Sequence, residues 1–256
     1  MLLVIDAGNT NIVFAVFAGD KLLGEWRIST DARRTADEYC VWLLQLMARA
    51  KIEVDAVKAA IMSSVVPQAT FALRMLTRQY FGVELMIVGE PGVDLGIEAK
   101  IDRPREVGAD RLVNAVAAWQ AYKQPLIIVD FGTATTFDVV NGKGDYTGGI
   151  IAPGVNLSLE ALHRAAAKLP NVAIERPLKV VGTDTVSAMQ SGIYFGYAGL
   201  IEGIVSRIKE EAGHPMKVIA TGGLAPLFAK ATPVIDVLEP DLIIQGLRII
   251  YARNRQ

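Results

Sequence analysis

The sequence LLVIDAGNTNIVFAVF at residues 2–17 contains the pattern on which the fold prediction rests. An apolar segment ends at Asp6, a short polar turn with Gly8 follows, and a second apolar segment comes next. Residues 126–140 repeat the pattern as LIIVDFGTATTFDVV, with Asp130 in the place of Asp6. Short apolar runs bounded by turn residues are typical of buried strands. Because roughly half the chain separates the two stretches, they predict two lobes of related fold.

The segments around these two turns alternate between strand and helix patterns. Residues 2–28 predict a meander of three strands, and the capping-box pair Thr35 and Glu38 indicates that a helix follows. Further helical patterns cover residues 106–122, 155–168 and 186–212, and apolar strand patterns lie between them. This alternation predicts an α/β protein of two lobes.

The composition argues against several classes of partner. Of the 256 residues, 52% are apolar and 21% are charged, which supplies a sizeable core and is unlike a disordered chain. There are 26 lysine and arginine residues against 27 aspartate and glutamate residues, so the net charge is −1. A near-neutral chain has no electrostatic footprint for nucleic acid or an acidic membrane surface. We therefore expect no nucleic-acid partner and no membrane attachment.

The opening segment and the single cysteine bear on the compartment. The apolar run at the N-terminus stops at Asp6 and has no basic flank, unlike a signal peptide. The longest uncharged stretch, residues 185–201, contains polar residues and is shorter than the roughly 20 apolar residues that a membrane span needs. Cys40 has no partner for an internal disulfide and lies in an apolar helical pattern. We expect a cytoplasmic protein with a buried, inert thiol.

The first turn has the composition of a phosphate site. Gly8 allows a tight turn, and the backbone amides of the next three residues can then point at an anion. Asp6, at the end of the strand, can hold Mg²⁺ directly or through water. An ordinary hairpin turn explains this one stretch about equally well. The second copy at residues 130–136 favours the phosphate site, because two such turns can clamp a polyphosphate across a cleft.

Two further elements belong to the candidate site. Thr221-Gly222-Gly223 follows a predicted strand, and its glycines let the backbone approach a ring or a phosphate closely. Gly108-Ala-Asp-Arg111 begins a predicted helix, where Asp110 is the candidate general base and Arg111 can bind an anionic acceptor. In the alternative interpretation, Asp110 only interacts with the helix dipole and pairs with Arg105 or Arg111. The P-loop pattern GxxxxGK[ST] and the dinucleotide pattern GxGxxG are both absent from the sequence.

In this order, the two turns and the double glycine resemble the two phosphate motifs and the adenosine motif of the actin/hexokinase-like ATPase superfamily. Five motifs occur in order along the chain: Asp6-x-Gly-Asn-Thr-Asn11, Gly108-Ala-Asp-Arg111, Asp130-Phe-Gly-Thr-Ala-Thr135, Gly148-Gly-x-Ile-x-Pro-Gly154 and GTDTVSAMQSG at residues 182–192. Together they closely resemble the type III pantothenate kinase family over essentially the whole chain. The resemblance implies two ribonuclease-H-like lobes of mixed β-sheet with flanking helices, at residues 1–115 and 116–256.

The resemblance also implies a reaction and its site. The reaction is the ATP-dependent phosphorylation of pantothenate to 4'-phosphopantothenate, the first step of coenzyme A biosynthesis, with ATP and Mg²⁺ in the cleft between the lobes. The positions that match the family's ATP site are Asp6, Ala7, Gly8, Asn9, Thr10, Asn11, Ile12, Val13 and Thr133. Those that match its pantothenate site are Gly108, Ala109, Asp110, Arg111 and Thr185. Asp110 would accept the proton, Asp130 would coordinate K⁺ or NH₄⁺, and the protein would work as a homodimer.

Two other functions fit parts of the sequence. A kinase for another small hydroxyl compound, such as a sugar, would use the same turns, and the Gly108–Arg111 motif and a need for K⁺ discriminate against it. A non-enzymatic nucleotide-binding regulator would associate with nucleic acid or protein, which the near-neutral charge disfavours. The chain departs from the family at Ile101, where many relatives carry a tyrosine that borders the substrate.

Overall fold

The computed structural model describes residues 1–166 and 169–255, and it divides into two units. The first unit consists of Met1–Ala121 and Leu242–Gln256, and the second consists of Tyr122–Asp241. Each unit contains a five-stranded β-sheet.

Strands and helices alternate along the described residues. The strands are β1 (Leu2–Ala7), β2 (Asn11–Ala18), β3 (Lys21–Ser29), β4 (Ala59–Ser64), β5 (Leu85–Ile87), β6 (Leu126–Phe131), β7 (Ala134–Val140), β8 (Tyr146–Pro153), β9 (Lys217–Gly222) and β10 (Val237–Leu238). The helices are α1 (Ala36–Arg49), α2 (Pro67–Tyr80), α3 (Ala109–Tyr122), α4 (Val155–Ala165), α5 (Thr185–Ala212), α6 (Ala225–Phe228) and α7 (Leu242–Asn254).

The two sheets share one connectivity. The strand order is β3-β2-β1-β4-β5 in the first sheet and β8-β7-β6-β9-β10 in the second. In the first sheet, β1, β2 and β3 pair antiparallel, and β4 and β5 are added in parallel. The second sheet repeats this arrangement, with β6 to β8 antiparallel and β9 and β10 parallel. The repeated stretches of sequence are the β1–β2 and β6–β7 hairpins, so the prediction of two related α/β lobes with mixed sheets is confirmed.

The first sheet is buried on both faces, which explains the uninterrupted apolar sequence of β1. Side chains alternate between the two faces of a strand. Leu3 and Ile5 share a core with Leu43 of α1 and Leu73 of α2. Val4 points the other way and packs with apolar side chains of α3 and α7. A strand with both faces covered has no position for a polar residue until it ends.

The last helix, α7, belongs to the first unit although its sequence follows the second. One apolar face of α7, which includes Leu247, packs with Val4 and Ile61 of the first sheet. The units therefore differ from the predicted lobes, 1–115 and 116–256, because the first unit contains both α7 and nearly all of α3. An apolar helix face packs against whichever sheet face it matches, and the position of the helix along the chain does not reveal that partner.

In the second unit, α5 covers one face of the sheet. Ile127, Val129 and Phe137 of the sheet share a core with Tyr197 and Ile201 of this helix. The residues of the opposite sheet face include the polar side chains of the candidate site. Among the described residues, neither α5 nor any other helix combines the length and the apolar character that crossing a membrane requires.

The predicted helices agree with the structure in place but not at every boundary. The helix predicted for residues 106–122 begins only at Ala109, because residues 104–106 form a separate 3₁₀ turn. The prediction for residues 155–168 corresponds to α4, and its predicted end at Lys168 lies outside the described residues. Strand β8 was missed, since its two adjacent glycines are unusual in a strand. Cys40 is buried in α1, as predicted.

Candidate active site

The turn between β1 and β2 carries the first phosphate motif. The N–H of Gly8 donates to the carbonyl of Asn11 at 3.0 Å, and Asn9 and Thr10 are exposed at the tip. Thr30, just past β3, braces this turn: its hydroxyl donates to the Gly8 carbonyl at 2.6 Å and its N–H to the Thr10 carbonyl at 2.9 Å. The sequence patterns did not identify Thr30, because its role depends on the pairing of β2 with β3.

Only part of this motif presents side chains to a ligand. Asp6 is half-buried near the end of β1, whereas Ala7, Ile12 and Val13 are buried in the core. A nucleotide can therefore contact these three positions only through their backbone groups. The side chains of this motif that a nucleotide could contact are those at the exposed tip of the turn and the Asp6 carboxylate.

The Gly108–Arg111 motif begins α3 and adjoins the same end of the first sheet. Val65, which follows β4, links the two motifs: its N–H donates to the Ala7 carbonyl at 3.1 Å, and its side chain lies beside Gly108. Within the first unit, the structure thus brings the β1–β2 turn and the start of α3 together. Val65 was not identified from the sequence, because its role is a contact between segments that are distant in the chain.

Asp110 is mostly shielded from solvent at the start of α3. Its Oδ1 accepts a hydrogen bond from the backbone N–H of Arg111 at 2.8 Å. Burial raises the pKa of the Asp110 carboxyl above its usual value, and this hydrogen bond and the charge of Arg111 offset only part of the effect. A carboxylate with a raised pKa is the stronger base, which suits the removal of a proton from a hydroxyl group.

The turn between β6 and β7 repeats the first turn in the second unit. The N–H of Gly132 donates to the Ala134 carbonyl at 3.0 Å, and Thr133 is exposed at the tip. Gly154 lies directly against this turn, since a Cβ atom at Gly154 would be only 2.1 Å from the Thr133 carbonyl oxygen. The contact explains why the motif at residues 148–154 ends in glycine: any side chain would displace the turn.

Asp130, near the end of β6, lies against the double-glycine motif. Gly222 has a φ of +91°, and a Cβ atom there would be 2.6 Å from Oδ1 of Asp130. Thr136 of β7 and Thr221 of β9 are the register partners of Asp130 on its two sides, so the three side chains share one sheet face. A carboxylate flanked by two hydroxyl groups supplies the hard oxygen ligands that Mg²⁺ and similar cations prefer.

On the same sheet face, two residues further along β7 from Thr136, lies a buried carboxylate that the sequence patterns did not identify. Asp138 is fully buried, and its two oxygens accept hydrogen bonds from the Tyr146 hydroxyl at 2.9 Å and from the Thr136 hydroxyl at 3.3 Å. Because Thr136 donates its proton to Asp138, its oxygen keeps lone pairs for another partner. Asp138 thereby orients a hydroxyl next to Asp130.

Thr185 is the first residue of α5 and is exposed. The preceding residue, Asp184, caps the helix by accepting the N–H of Ser187 at 3.0 Å, and this bond lowers the pKa of the Asp184 carboxyl. The cap fixes the backbone of Thr185 at a helix N-terminus, where amide groups favour an anion. Of the predicted site residues, Asp130, Thr133 and Thr185 lie in the second unit and the others in the first.

The described residues fit a metal that arrives with ATP better than a metal held by protein alone. They contain no group of three or more His, Cys, Asp or Glu side chains that could hold an ion. Mg²⁺ in nucleotide sites takes most ligands from phosphate and water and needs only one or two carboxylates. Asp6 lies near the end of β1 and could supply one such carboxylate.

Two sheets of one connectivity, each with a glycine turn after its first strand, define a fold class of two related α/β lobes with mixed sheets. The fold resembles that of the activator of the 2-hydroxyisocaproyl-CoA dehydratase from Clostridium difficile with bound ADPNP, with a TM-score of 0.56 and 12% identity over 99% of this chain and 95% of that one. It also resembles the inorganic polyphosphate/ATP-glucomannokinase from Arthrobacter, with a TM-score of 0.50 and 14% identity over 98% of both chains.

Sequence comparison identifies the family within this class. The family model described as type III pantothenate kinase matches residues 2–207. A type III pantothenate kinase from Paramagnetospirillum magneticum is 63% identical over 254 residues, which cover 99% of this chain and 98% of the relative. The chain belongs to the type III pantothenate kinase family.

Proposed function

We propose that the protein transfers the γ-phosphoryl group of ATP to the primary hydroxyl of pantothenate. The product is 4'-phosphopantothenate, and the reaction is the first step of coenzyme A biosynthesis. The observation that carries this proposal is the shielded Asp110 carboxylate, which has a raised pKa and lies next to a cationic side chain in a chain of this family.

On the acceptor side, Asp110 takes the hydroxyl proton as the oxygen attacks the γ-phosphorus in line. Arg111 lies next to this base, and its guanidinium suits a bidentate pair with the carboxylate of pantothenate. Gly108 and Ala109 contribute backbone at the helix start. With Arg111 they would hold the acceptor by its carboxylate and leave its hydroxyl at the base, and Thr185 is proposed as a further contact of pantothenate.

On the donor side, the two glycine turns bind the phosphates. The amides and side chains of residues 8–11 and the Thr133 hydroxyl face the anion, and Asp6 is the ligand for Mg²⁺. When bound, Mg²⁺ offsets charge that develops on the phosphate oxygens. The turn residues supply donors that are fixed before the reaction begins, which lowers the cost of reorganisation.

A monovalent cation, K⁺ or NH₄⁺, completes the proposed site next to Asp130. The hydroxyl groups of Thr136 and Thr221, on either side of Asp130, support this assignment because they add oxygen ligands on the same sheet face. We further propose that the protein acts as a homodimer in the cytoplasm, where its substrates ATP and pantothenate would be at hand.

The test is a coupled assay of ADP formation with and without pantothenate, in K⁺ and in Na⁺. We expect turnover only with pantothenate and with K⁺, and a loss of about 10²–10⁴-fold in kcat for Asp110→Asn. Asp102→Asn, a nearby exposed aspartate outside the motif, serves as the matched control and should keep full activity. Turnover that ignores pantothenate, or an Asp110→Asn variant as active as the control, would refute the proposal.

A further inference from the structure

A cavity of about 420 Å³ lies in the first unit, at the end of the sheet opposite to the candidate site. It is bordered by the first residues of β1 and β4, by the turn between β2 and β3, and by the C-terminal half of α7. Leu2 lines the cavity, whereas Asp6 lies four residues further along the same strand. At about 3.3 Å per residue the two positions are roughly 13 Å apart. The cavity is therefore separate from the proposed reaction site.

Basic side chains dominate the polar part of this cavity. Lys58, Arg248 and Arg255 line it, and Asp20 is the one carboxylate among the described lining residues. The whole chain carries a net charge of only −1, so this excess of positive charge is local. Clustered cations in a concave surface attract and concentrate anions.

Arg248 is held in position by the protein itself. Its side chain is only 23% exposed, its Nε donates to Oε1 of Gln245 at 3.1 Å, and its guanidinium lies 5.9 Å from the centre of the Phe17 ring. The guanidinium also pairs with Asp20, but the Asp20 side chain is 91% exposed, so solvent weakens this ion pair. A cation that is already ordered loses little entropy when it binds an anion.

Lys58 differs, because its side chain is exposed and has no ion pair or side-chain hydrogen bond within the described part of the chain. It directly precedes β4 and lines the same cavity as Arg248. The lining also has an apolar part, in which Ala59 and Tyr251 are half-buried and Phe17 is fully buried. The volume is within the range of small-molecule sites, which combine an apolar lining with a few convergent polar groups.

We propose that this cavity binds a small organic phosphate. The phosphate group would lie between Arg248 and Lys58, since a fixed guanidinium and a mobile ammonium suit a dianion with three acceptor oxygens. The apolar or aromatic part would lie against Ala59 and Tyr251. The inference uses none of the residues of the proposed reaction, so it stands or falls independently of that function.

Isothermal titration calorimetry of the full chain tests this site, with phenyl phosphate and inorganic phosphate as probes. Any probe binding that Arg248→Gln and Lys58→Gln both leave unchanged belongs to the candidate active site and not to this cavity. We expect phenyl phosphate to bind more tightly than inorganic phosphate. Arg248→Gln and Lys58→Gln should each weaken binding by about tenfold. Arg49→Gln, which removes an exposed cation at the end of α1, is the matched control and should bind like the unmodified protein.

Lys58→Gln is the decisive variant, because its exposed side chain can be replaced without disturbing the packing around Arg248. Unchanged affinity for phenyl phosphate in Lys58→Gln and Arg248→Gln would overturn the proposal. So would the absence of binding up to about 20 mM probe. Equal affinity for the two probes would also contradict it, since the apolar lining would then contribute nothing.

Discussion

The backbone N–H of Arg111 donates a 2.8 Å hydrogen bond to Oδ1 of Asp110, the carboxylate that we propose as the base. The bond favours the ionised carboxylate, whereas burial disfavours it and has the larger effect on the pKa. The carboxylate is therefore fixed at the helix start and keeps its proton to a higher pH than an exposed aspartate. The first turn of α3 thus holds the Asp110 carboxylate in place, and the burial of the carboxylate there makes it more basic.

The raised pKa has a consequence for stability. A carboxyl group whose pKa is higher in the folded state stabilises the fold below its unfolded pKa and loses that contribution as pH rises through the folded pKa. We expect Asp110→Asn, which can still accept the Arg111 N–H, to unfold a few degrees above the unmodified protein at pH 7.5. The difference should shrink as the pH is lowered towards the raised pKa of the folded carboxyl. Thermal unfolding at several pH values measures this, with Asp102→Asn as control. The raised pKa of Asp110 would be contradicted if the stability of the variant, measured relative to the unmodified protein, were lower at pH 7.5 than at pH 5.

The contact between Gly154 and the second turn predicts a strong effect of a single methyl group. Because a Cβ atom would lie 2.1 Å from the Thr133 carbonyl oxygen, Gly154→Ala must displace the turn. We expect kcat/KM for ATP to fall by about 10²-fold, as for other misplacements of about 1 Å. Gly199→Ala is the control: it has open space in the middle of α5, so it should keep activity and gain about 0.5–1 kcal/mol in the free energy of unfolding. An active Gly154→Ala would show that this turn does not position ATP.

The reactivity of Cys40 with a thiol reagent measures how readily α1 opens, since Cys40 is the single cysteine of the chain. It is buried in α1, and burial raises the pKa of its thiol, with a smaller contribution from Asp37. Both effects lower the concentration of accessible thiolate. We expect a thiol reagent at pH 8 to react at least about 10²-fold more slowly with the native protein than with the protein in denaturant. Rapid reaction in the native state would mean that α1 opens readily.

Tyr122 and Glu239 form a hydrogen bond across the second unit, with the hydroxyl as donor. Burial, followed by this hydrogen bond, raises the pKa of Tyr122 to about 12. The contribution to stability is thus present below about pH 10, the unfolded value, and is lost as pH rises towards 12. Tyr122→Phe should lower the free energy of unfolding at pH 7 by about 1 kcal/mol. Tyr80→Phe, which removes a more exposed hydroxyl bonded to Asp37, should cost less, and equal losses would argue against a special role for the Tyr122 contact.

The sequence predicted those parts of the fold that depend on local pattern. The stretch before Asp6 is apolar because β1 is covered on both faces, and the residues before Asp130 are buried as well. Their similarity therefore revealed the shared sheet connectivity. The start of α1 could be predicted from its cap residues Thr35 and Glu38. Strand β8 could not, because its glycines carry no strand propensity and its pairing with β7 holds it in place.

The parts that could not be predicted depend on contacts between distant segments. Thr30 braces the first turn only because β3 returns beside β2, and Val65 joins Ala7 and Gly108 only in the folded chain. The same holds for Asp138, whose surroundings come from β8. The assignment of α7 to the first unit likewise follows from its apolar face and not from its place in the chain.

The most direct test of the proposed function is ³¹P NMR of a reaction mixture that contains the purified protein, ATP, Mg²⁺, K⁺ and pantothenate. We expect one new phosphomonoester resonance, equal in amount to the ADP formed, and mass spectrometry should identify it as 4'-phosphopantothenate. The Asp110→Asn protein should produce neither signal over the same period. ATP that stays intact, or ADP that forms together with inorganic phosphate in place of the phosphomonoester, would contradict the assignment of pantothenate as the acceptor.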